Sequence, residues 1–145
     1  MKSKINFYTV LIITTILGYM IISTSCLKNE QEEQDTYFLV EVDSIAFADT
    51  ISTTDTLSIS FYGTIGNNGC YSFSNFYPVT NEDTLDIEVW GKLAPGEDCA
   101  SVMVYLEGEQ LNVINFDEGT FFVHVRQPGG GLLIDSLIVI PAGNK

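Results

Sequence analysis

A single histidine, three cysteines and nineteen acidic side chains are the residues of this chain that could carry chemistry. Any Ser-His-Asp triad or imidazole metal site must use His124, which stands between two valines in a segment that alternates like a strand. Such a residue is expected to face solvent or a carboxylate on a neighbouring strand. The sequence has no GxSxG, HExxH or paired CxxC motif, and the glycines 129–131 precede no Lys-Ser/Thr pair. We therefore predict no enzyme, no catalytic residue, no metal and no cofactor.

Carboxylates provide the one alternative route to an enzyme, because two of them can act as acid and base on a glycoside. The candidates for such a small hydrolase are Glu88, Glu107 and Glu109. The acidic pairs at 82–83, 97–98 and 117–118 lie in predicted loops, but none has the DxDxDG spacing of a calcium loop. Solvated turn residues explain these pairs better than a cation site does.

Exposed aromatic rings could offer flat faces to a sugar. If Ile59, Phe61, Val89 and Val104 face the core, their neighbours face outward. The candidate sugar-binding residues are then Trp90, Tyr62 and Tyr105. Ordinary packing explains most of these aromatic residues equally well.

The elements that would position these residues are strands. From residue 37 onward, apolar side chains recur with period two and turn residues return about every ten positions. Seven or eight such strands predict an all-β fold, an antiparallel β-sandwich of the immunoglobulin-like or fibronectin-III-like type, over residues 37–145. The last segment, 133–140, is nearly all apolar, so we expect it either to be covered on both faces or to close a sandwich.

The N-terminus has the order of a secretory signal, with Lys2 and Lys4 ahead of an apolar run over residues 5–22. The run ends in Ser23-Thr24-Ser25-Cys26, which resembles the lipobox of bacterial lipoproteins, whose cysteine receives a diacylglyceryl group before cleavage. The resemblance implies a signal peptide at 1–25, lipid such as palmitate on Cys26 as the membrane anchor, and a place in the outer membrane, facing the periplasm or the cell surface. An uncleaved anchor is the alternative, because the run approaches the roughly 18 to 20 residues that a membrane span needs.

A lipidated flexible acidic tether is expected at 26–36, since residues 27–36 contain one apolar side chain and five charged ones. The segments 28–30 and 31–33 resemble the export signal that follows the lipid cysteine in surface lipoproteins of Bacteroidota-type bacteria. A solvated linker explains them equally well.

The other two cysteines, Cys70 and Cys99, form an even pair in an oxidising compartment, which predicts a disulfide. The loop that it closes, about 30 residues, is shorter than that of the usual inter-sheet disulfide of antibody domains. A metal site or a nucleophilic cysteine would need companion residues that the sequence does not offer.

Hydroxyl residues follow aspartate unusually often, at six of the nine aspartates after Cys26. Five of these pairs continue with an aliphatic residue, which resembles the Asp-Ser/Thr-aliphatic acceptor motif of O-glycosylation in Bacteroidota-type bacteria. The implied acceptors are Ser44, Thr50, Thr56, Thr84 and Ser136. The alternative is structural, because Asp-Ser and Asp-Thr commonly open strands after turns.

The net charge of −13 disfavours nucleic acid and anionic membrane surfaces as partners. We expect a membrane-anchored, non-catalytic binding or scaffolding module with a protein or glycan partner. A carbohydrate-binding surface lipoprotein is the first alternative, and the hydrolase is the second. The fold class alone does not choose among them.

Overall fold

The computed structural model describes residues 34–96 and 98–143, all within the unit Glu33–Lys145. Over those residues the chain forms nine strands and a 3₁₀ turn at Pro128–Gly130. The strands are β1 (Thr36–Leu39), β2 (Glu41–Ala46), β3 (Thr50–Ser52), β4 (Leu57–Gly66), β5 (Tyr71–Asn81), β6 (Thr84–Leu93), β7 (Val104–Val113), β8 (Gly119–Arg126) and β9 (Leu132–Ile140).

Several sequence predictions fall outside the described residues, namely the signal peptide 1–25, the lipid-bearing Cys26 and the tether up to residue 33. The residues that are described include no helix long and apolar enough to cross a membrane. The sheet structure begins at Thr36, one residue before the boundary expected from the sequence.

Two sheets form a sandwich, which confirms the all-β prediction. Sheet A contains β1, β6, β8, β9 and β3 in that order, and β5 pairs with the other edge of β6. Along the shared edge of β6, β8 pairs with residues 84–87 and β1 pairs with residues 90–93. Sheet B contains β2, β4 and β7.

The core follows the predicted alternation, because the pleat of a strand sends successive side chains to opposite faces. In β4 of sheet B, Leu57, Ile59 and Phe61 are buried and every second residue points outward. Sheet A contributes buried residues from β6 and β8 to the same cluster. These residues are Leu85, Ile87, Val89, Phe121, Val123 and Val125.

Two of the strand pairings are parallel, although the sequence predicts an antiparallel sandwich. The strands β6 and β8 run parallel, as do β3 and β9. In each case the two partners are separated along the chain by at least one strand of the other sheet, so the chain can return in the same direction. Turn residues between consecutive strands carry no information about such pairings.

The first predicted strand is divided between the two sheets. The chain leaves sheet A after Leu39 and enters sheet B at Glu41, and the side chains of Val40 and Val42 are buried where it crosses. Gln127, just after β8, fixes this crossing through two hydrogen bonds. Its Oε1 accepts from the Val42 amide at 3.0 Å, and its Nε2 donates to the Val42 carbonyl at 3.2 Å.

Of the two expectations for the last strand, cover on both faces was wrong, because β9 is a strand of one sheet of the sandwich and buries one face only. Leu137 and Val139 are buried, whereas Ile134 and Ile138 are 56% and 52% exposed on the outer face of sheet A. The sandwich has two layers, and each layer buries only its inner face. In β9, therefore, nearly every residue is apolar, but at most every second side chain is buried.

The predicted disulfide between Cys70 and Cys99 is confirmed, with the two Cα atoms 5.4 Å apart. Cys70 precedes β5, and Cys99 lies in the connection from β6 to β7. Backbone hydrogen bonds flank the disulfide, from the Gly69 amide to the Ala100 carbonyl and from the Ala94 amide to the Cys70 carbonyl. The disulfide therefore holds the long β6 to β7 connection against the turn that follows β4.

Replacing both cysteines by serine (Cys70→Ser, Cys99→Ser) is expected to lower the free energy of unfolding by about 3 to 4 kcal/mol, because the unfolded chain gains the entropy of the opened loop. Urea denaturation of the oxidised protein and the variant measures the difference. Reduction of the unaltered protein should give a similar loss. Equal stability of the two proteins would contradict this account.

Candidate functional site

The predicted sugar-binding aromatics do not share a surface. Tyr62 and Tyr105 are 41% and 49% exposed on the outer face of sheet B, where the Tyr62 ring lies next to Gly108. Trp90 is half-buried and alternates with the buried Val89 on β6, so it belongs to the outer face of sheet A. A single sugar chain lying flat on either sheet would not contact all three rings.

Four side chains on two neighbouring strands form two cross-strand pairs on the outer face of sheet A. Asp86 and His124 are register partners on β6 and β8, and Asp86 Oδ1 lies 3.5 Å from His124 Nδ1. Two residues further along each strand, Glu88 Oε1 lies 3.7 Å from Arg126 Nε. The one histidine thus faces a carboxylate on the adjacent strand, as the sequence pattern predicts.

Two further hydrogen bonds position these carboxylates. The indole Nε1 of Trp90 donates to Glu88 Oε2 at 3.1 Å, and the amide Nδ2 of Asn81 donates to Asp86 Oδ2 at 3.3 Å. Each carboxylate therefore has one neutral hydrogen-bond donor and one partner on β8, which is His124 for Asp86 and Arg126 for Glu88. Such double contacts restrict the rotamers of both acids.

Strand β5 adds apolar surface beside the charged pairs. Tyr77 and Val79 are opposite Glu88 and Asp86 in the β5 to β6 register, and they are 60% and 41% exposed. A groove of about 300 Å³ lies between the strands. It is lined by Tyr77, Val79, Asn81, Asp86, Glu88 and Arg126. We call these six residues, together with Trp90 and His124, the β6 face.

Sequence reasoning missed Tyr77 because a β-bulge changes which residues of β5 face outward. The register shifts between Phe73 and Asn75, so that Phe73 and Phe76 both pack against the core. Alternation counted from Phe73 would send Tyr77 inward. The bulge reverses that parity and leaves the Tyr77 ring in solvent.

Lys92 continues the same outward row of β6 and pairs with a residue near the start of the described chain. Its Nζ lies 3.0 Å from Asp35 Oδ2. The hydrogen bond to Asp35 and the charge of that carboxylate raise the pKa of Lys92 above its ordinary value. Lys92 and Arg126 are the only Lys or Arg residues between positions 34 and 143, so the cationic side chains of this strongly acidic segment all lie on the outer face of sheet A.

Acidic turn residues gather elsewhere, at one end of the sandwich. The pairs 82–83 and 117–118 line one open cleft of about 540 Å³. In the part of the chain that the structure describes, no group of three or more His, Cys, Asp or Glu side chains is arranged to hold a metal ion. Asp98 is exposed, and its neighbour Glu97 lies outside the described residues.

The three candidate hydrolase carboxylates are divided between the sheets. Glu88 lies on β6 of sheet A, whereas Glu107 and Glu109 lie on β7 of sheet B. A carboxylate pair must flank one scissile bond to act as acid and base. Glu88 therefore cannot pair with either of the other two on the same substrate.

The candidate acceptor hydroxyls are accessible at most positions. Ser44, Thr50, Thr56 and Ser136 are exposed and Thr84 is half-buried. Three of the preceding aspartates make local hydrogen bonds, for example from the Ser52 amide to Asp55 Oδ2 at 2.9 Å. Asp49, Asp55 and Asp83 also stand at the starts of β3, β4 and β6. These contacts support the structural alternative for part of the pattern.

Comparisons of the chain with protein-family models, with curated proteins and with solved structures find no match. Its function is therefore inferred from the geometry of the described residues.

Proposed function

We propose that this chain is a lipid-anchored, non-catalytic binding module of the cell envelope, held in the outer membrane through Cys26. The β6 face is its binding surface. The observation that carries this proposal is the concentration on one face of two cross-strand pairs of polar side chains, an amide and two aromatic rings that a fold alone does not require. Partners are a protein or a glycan, since the net charge of −13 opposes nucleic acid.

The proposal is supported by the charge and the burial of this face. No polar or charged side chain is buried in the core of the described chain, so the ion pairs are not part of the hydrophobic core. Exposed pairs of this kind contribute little to stability, because water and salt screen them. A row of three such pairs along β6 is therefore better explained by recognition than by folding.

Non-catalytic binding is favoured over hydrolysis by the separation of the acids between two sheets. The two carboxylates of the groove beside β6 are neighbours on one strand, and they already contact His124 and Arg126. These carboxylates can accept hydrogen bonds from a ligand, and binding of this kind requires no proton transfer.

The anchor is tested by Cys26→Ala. We expect an unprocessed or mislocalised precursor that no longer incorporates labelled palmitate, because the thiol is the site of lipid attachment. The matched control is the double variant Cys70→Ser, Cys99→Ser, which should keep the label. Efficient cleavage and normal membrane retention of the Cys26→Ala protein would refute the lipoprotein proposal.

The binding surface is tested in the natural host with a photo-crosslinking amino acid in place of Tyr77. A partner seated on the β6 face lies within reach of that position, so irradiation should give a discrete adduct of higher mass. The same substitution at Tyr105, which is similarly exposed on sheet B, should give none. Absence of an adduct at position 77, or equal adducts at both positions, would argue against this face.

Glycosylation at Ser44, Thr50, Thr56, Thr84 or Ser136 remains part of the proposal, and it is supported by the exposure of four of these hydroxyls. We expect the intact mass from the natural host to exceed that of the polypeptide with its lipid. Thr56→Ala should remove one glycan mass, whereas Thr54→Ala, at an exposed threonine without a preceding aspartate, should not. A mass that matches the unmodified lipoprotein would remove this part of the proposal.

A further inference from the structure

We propose that the β6 face binds a neutral saccharide, with one sugar ring on Tyr77 and its hydroxyls between Glu88 and Arg126. This inference rests on the proposed function, since it names the ligand class of the same surface. It is carried by the shape of the groove, the pairing of its charges and the exposure of one aromatic ring.

The groove has the size and the composition for a sugar unit. Its volume of about 300 Å³ is at the lower end of the range for ligand pockets, roughly 300 to 1,000 Å³. Carboxylates, an amide and a guanidinium lie beside the Tyr77 ring and the Val79 side chain. A pyranose likewise combines hydroxyls around its rim with an apolar C–H face.

The charges favour a neutral ligand that both donates and accepts hydrogen bonds. At 3.5 Å and 3.7 Å, the Asp86–His124 and Glu88–Arg126 contacts are wider than a direct charge-assisted hydrogen bond of about 2.7 to 2.9 Å. Each pair therefore keeps donor and acceptor positions free. A hydroxyl can donate to the Glu88 carboxylate and accept from the Arg126 guanidinium at once, whereas an ionic ligand would compete with one member of the pair.

The surrounding field opposes acidic sugars. The chain carries a net charge of −13, and Arg126, the cationic side chain that lines the groove, already faces Glu88. A uronic acid or a sulfated sugar would add negative charge beside Asp86 and Glu88. Repulsion of that kind excludes such ligands more effectively than the groove shape does.

The exposed ring supplies apolar contact, and its strand discourages a peptide. Tyr77 is 60% exposed on β5, and it precedes Pro78. A proline within an edge strand has no amide hydrogen to offer to an added strand. A β-strand of a protein partner would therefore lose a hydrogen bond at this edge, whereas a sugar stacked on the ring would not.

The test uses the full chain purified from host membranes in a detergent without a sugar headgroup. Probes are immobilised neutral oligosaccharides of glucose, mannose, galactose, xylose and N-acetylglucosamine, with polygalacturonate and heparin in parallel. We expect at least one neutral probe to bind with a Kd below about 1 mM and both polyanions to remain unbound. Isothermal titration with the binding oligosaccharide then gives the affinities of the variants.

Two independent variants test the site itself. Tyr77→Ala should weaken binding about threefold to tenfold through loss of the stacked ring, and Arg126→Gln should weaken it about tenfold through loss of a charged donor. The matched control Ile114→Ala, at a side chain that is 60% exposed just after β7, should leave the affinity unchanged. Unaltered melting curves verify that both variants, changed at exposed positions, remain folded.

Three results would overturn the saccharide inference: no neutral probe binds, only the polyanions bind, or binding is the same in Tyr77→Ala. If the crosslink at position 77 still forms in the host, the proposed function stands and only the saccharide is lost. If the crosslink is absent and Tyr77→Ala also leaves saccharide binding unchanged, both proposals fail.

Discussion

Burial of alternate side chains between two pleated sheets is the interaction on which the rest of this structure depends. The inward residues of β4 and β6 form one core cluster, and Phe61 packs on Phe76 with ring centroids 4.7 Å apart. Because the pleat alternates, the same burial fixes the outward residues at every second position. The spacing of Asp86, Glu88, Trp90 and Lys92 along β6 is thus a consequence of the core beneath them.

The contacts between β6 and its three partner strands turn that row into a surface. β8 brings His124 and Arg126 opposite the carboxylates, and β5 brings an exposed ring. β1 follows directly on Asp35, which contacts Lys92. Of these three partners, only β5 forms a hairpin with β6. The strands β1 and β8 are not adjacent to β6 along the chain. The surface therefore exists only once the distant pairings have formed.

Local patterns predicted the strands, the disulfide and the outward orientation of His124, because each depends on residues close in sequence or on a simple count. The parallel pairing of β6 with β8 could not be predicted, since it is set by the packing of the whole sandwich. Two further features could not be predicted: the division of the first strand at Val40, and the reversal in β5 of which side chains face outward. In each case one irregular residue changes the orientation of every later side chain in the strand. Tyr77 was consequently missed, and Trp90 was grouped with two tyrosines of the other sheet.

The entry of the chain through β1 has a mechanical consequence. β1 pairs with β6 over only four residues, from Thr36 opposite Leu93 to Leu39 opposite Trp90, and Asp35 holds Lys92 just outside that ladder. A pulling force on the N-terminal segment would act first on the hydrogen bonds of these four residue pairs. It would act next on the packing of the buried Val40. Peeling of β1 would uncover the edge of β6 next to Trp90, so a pull on the segment that leads into β1 would be transmitted to the neighbourhood of the groove.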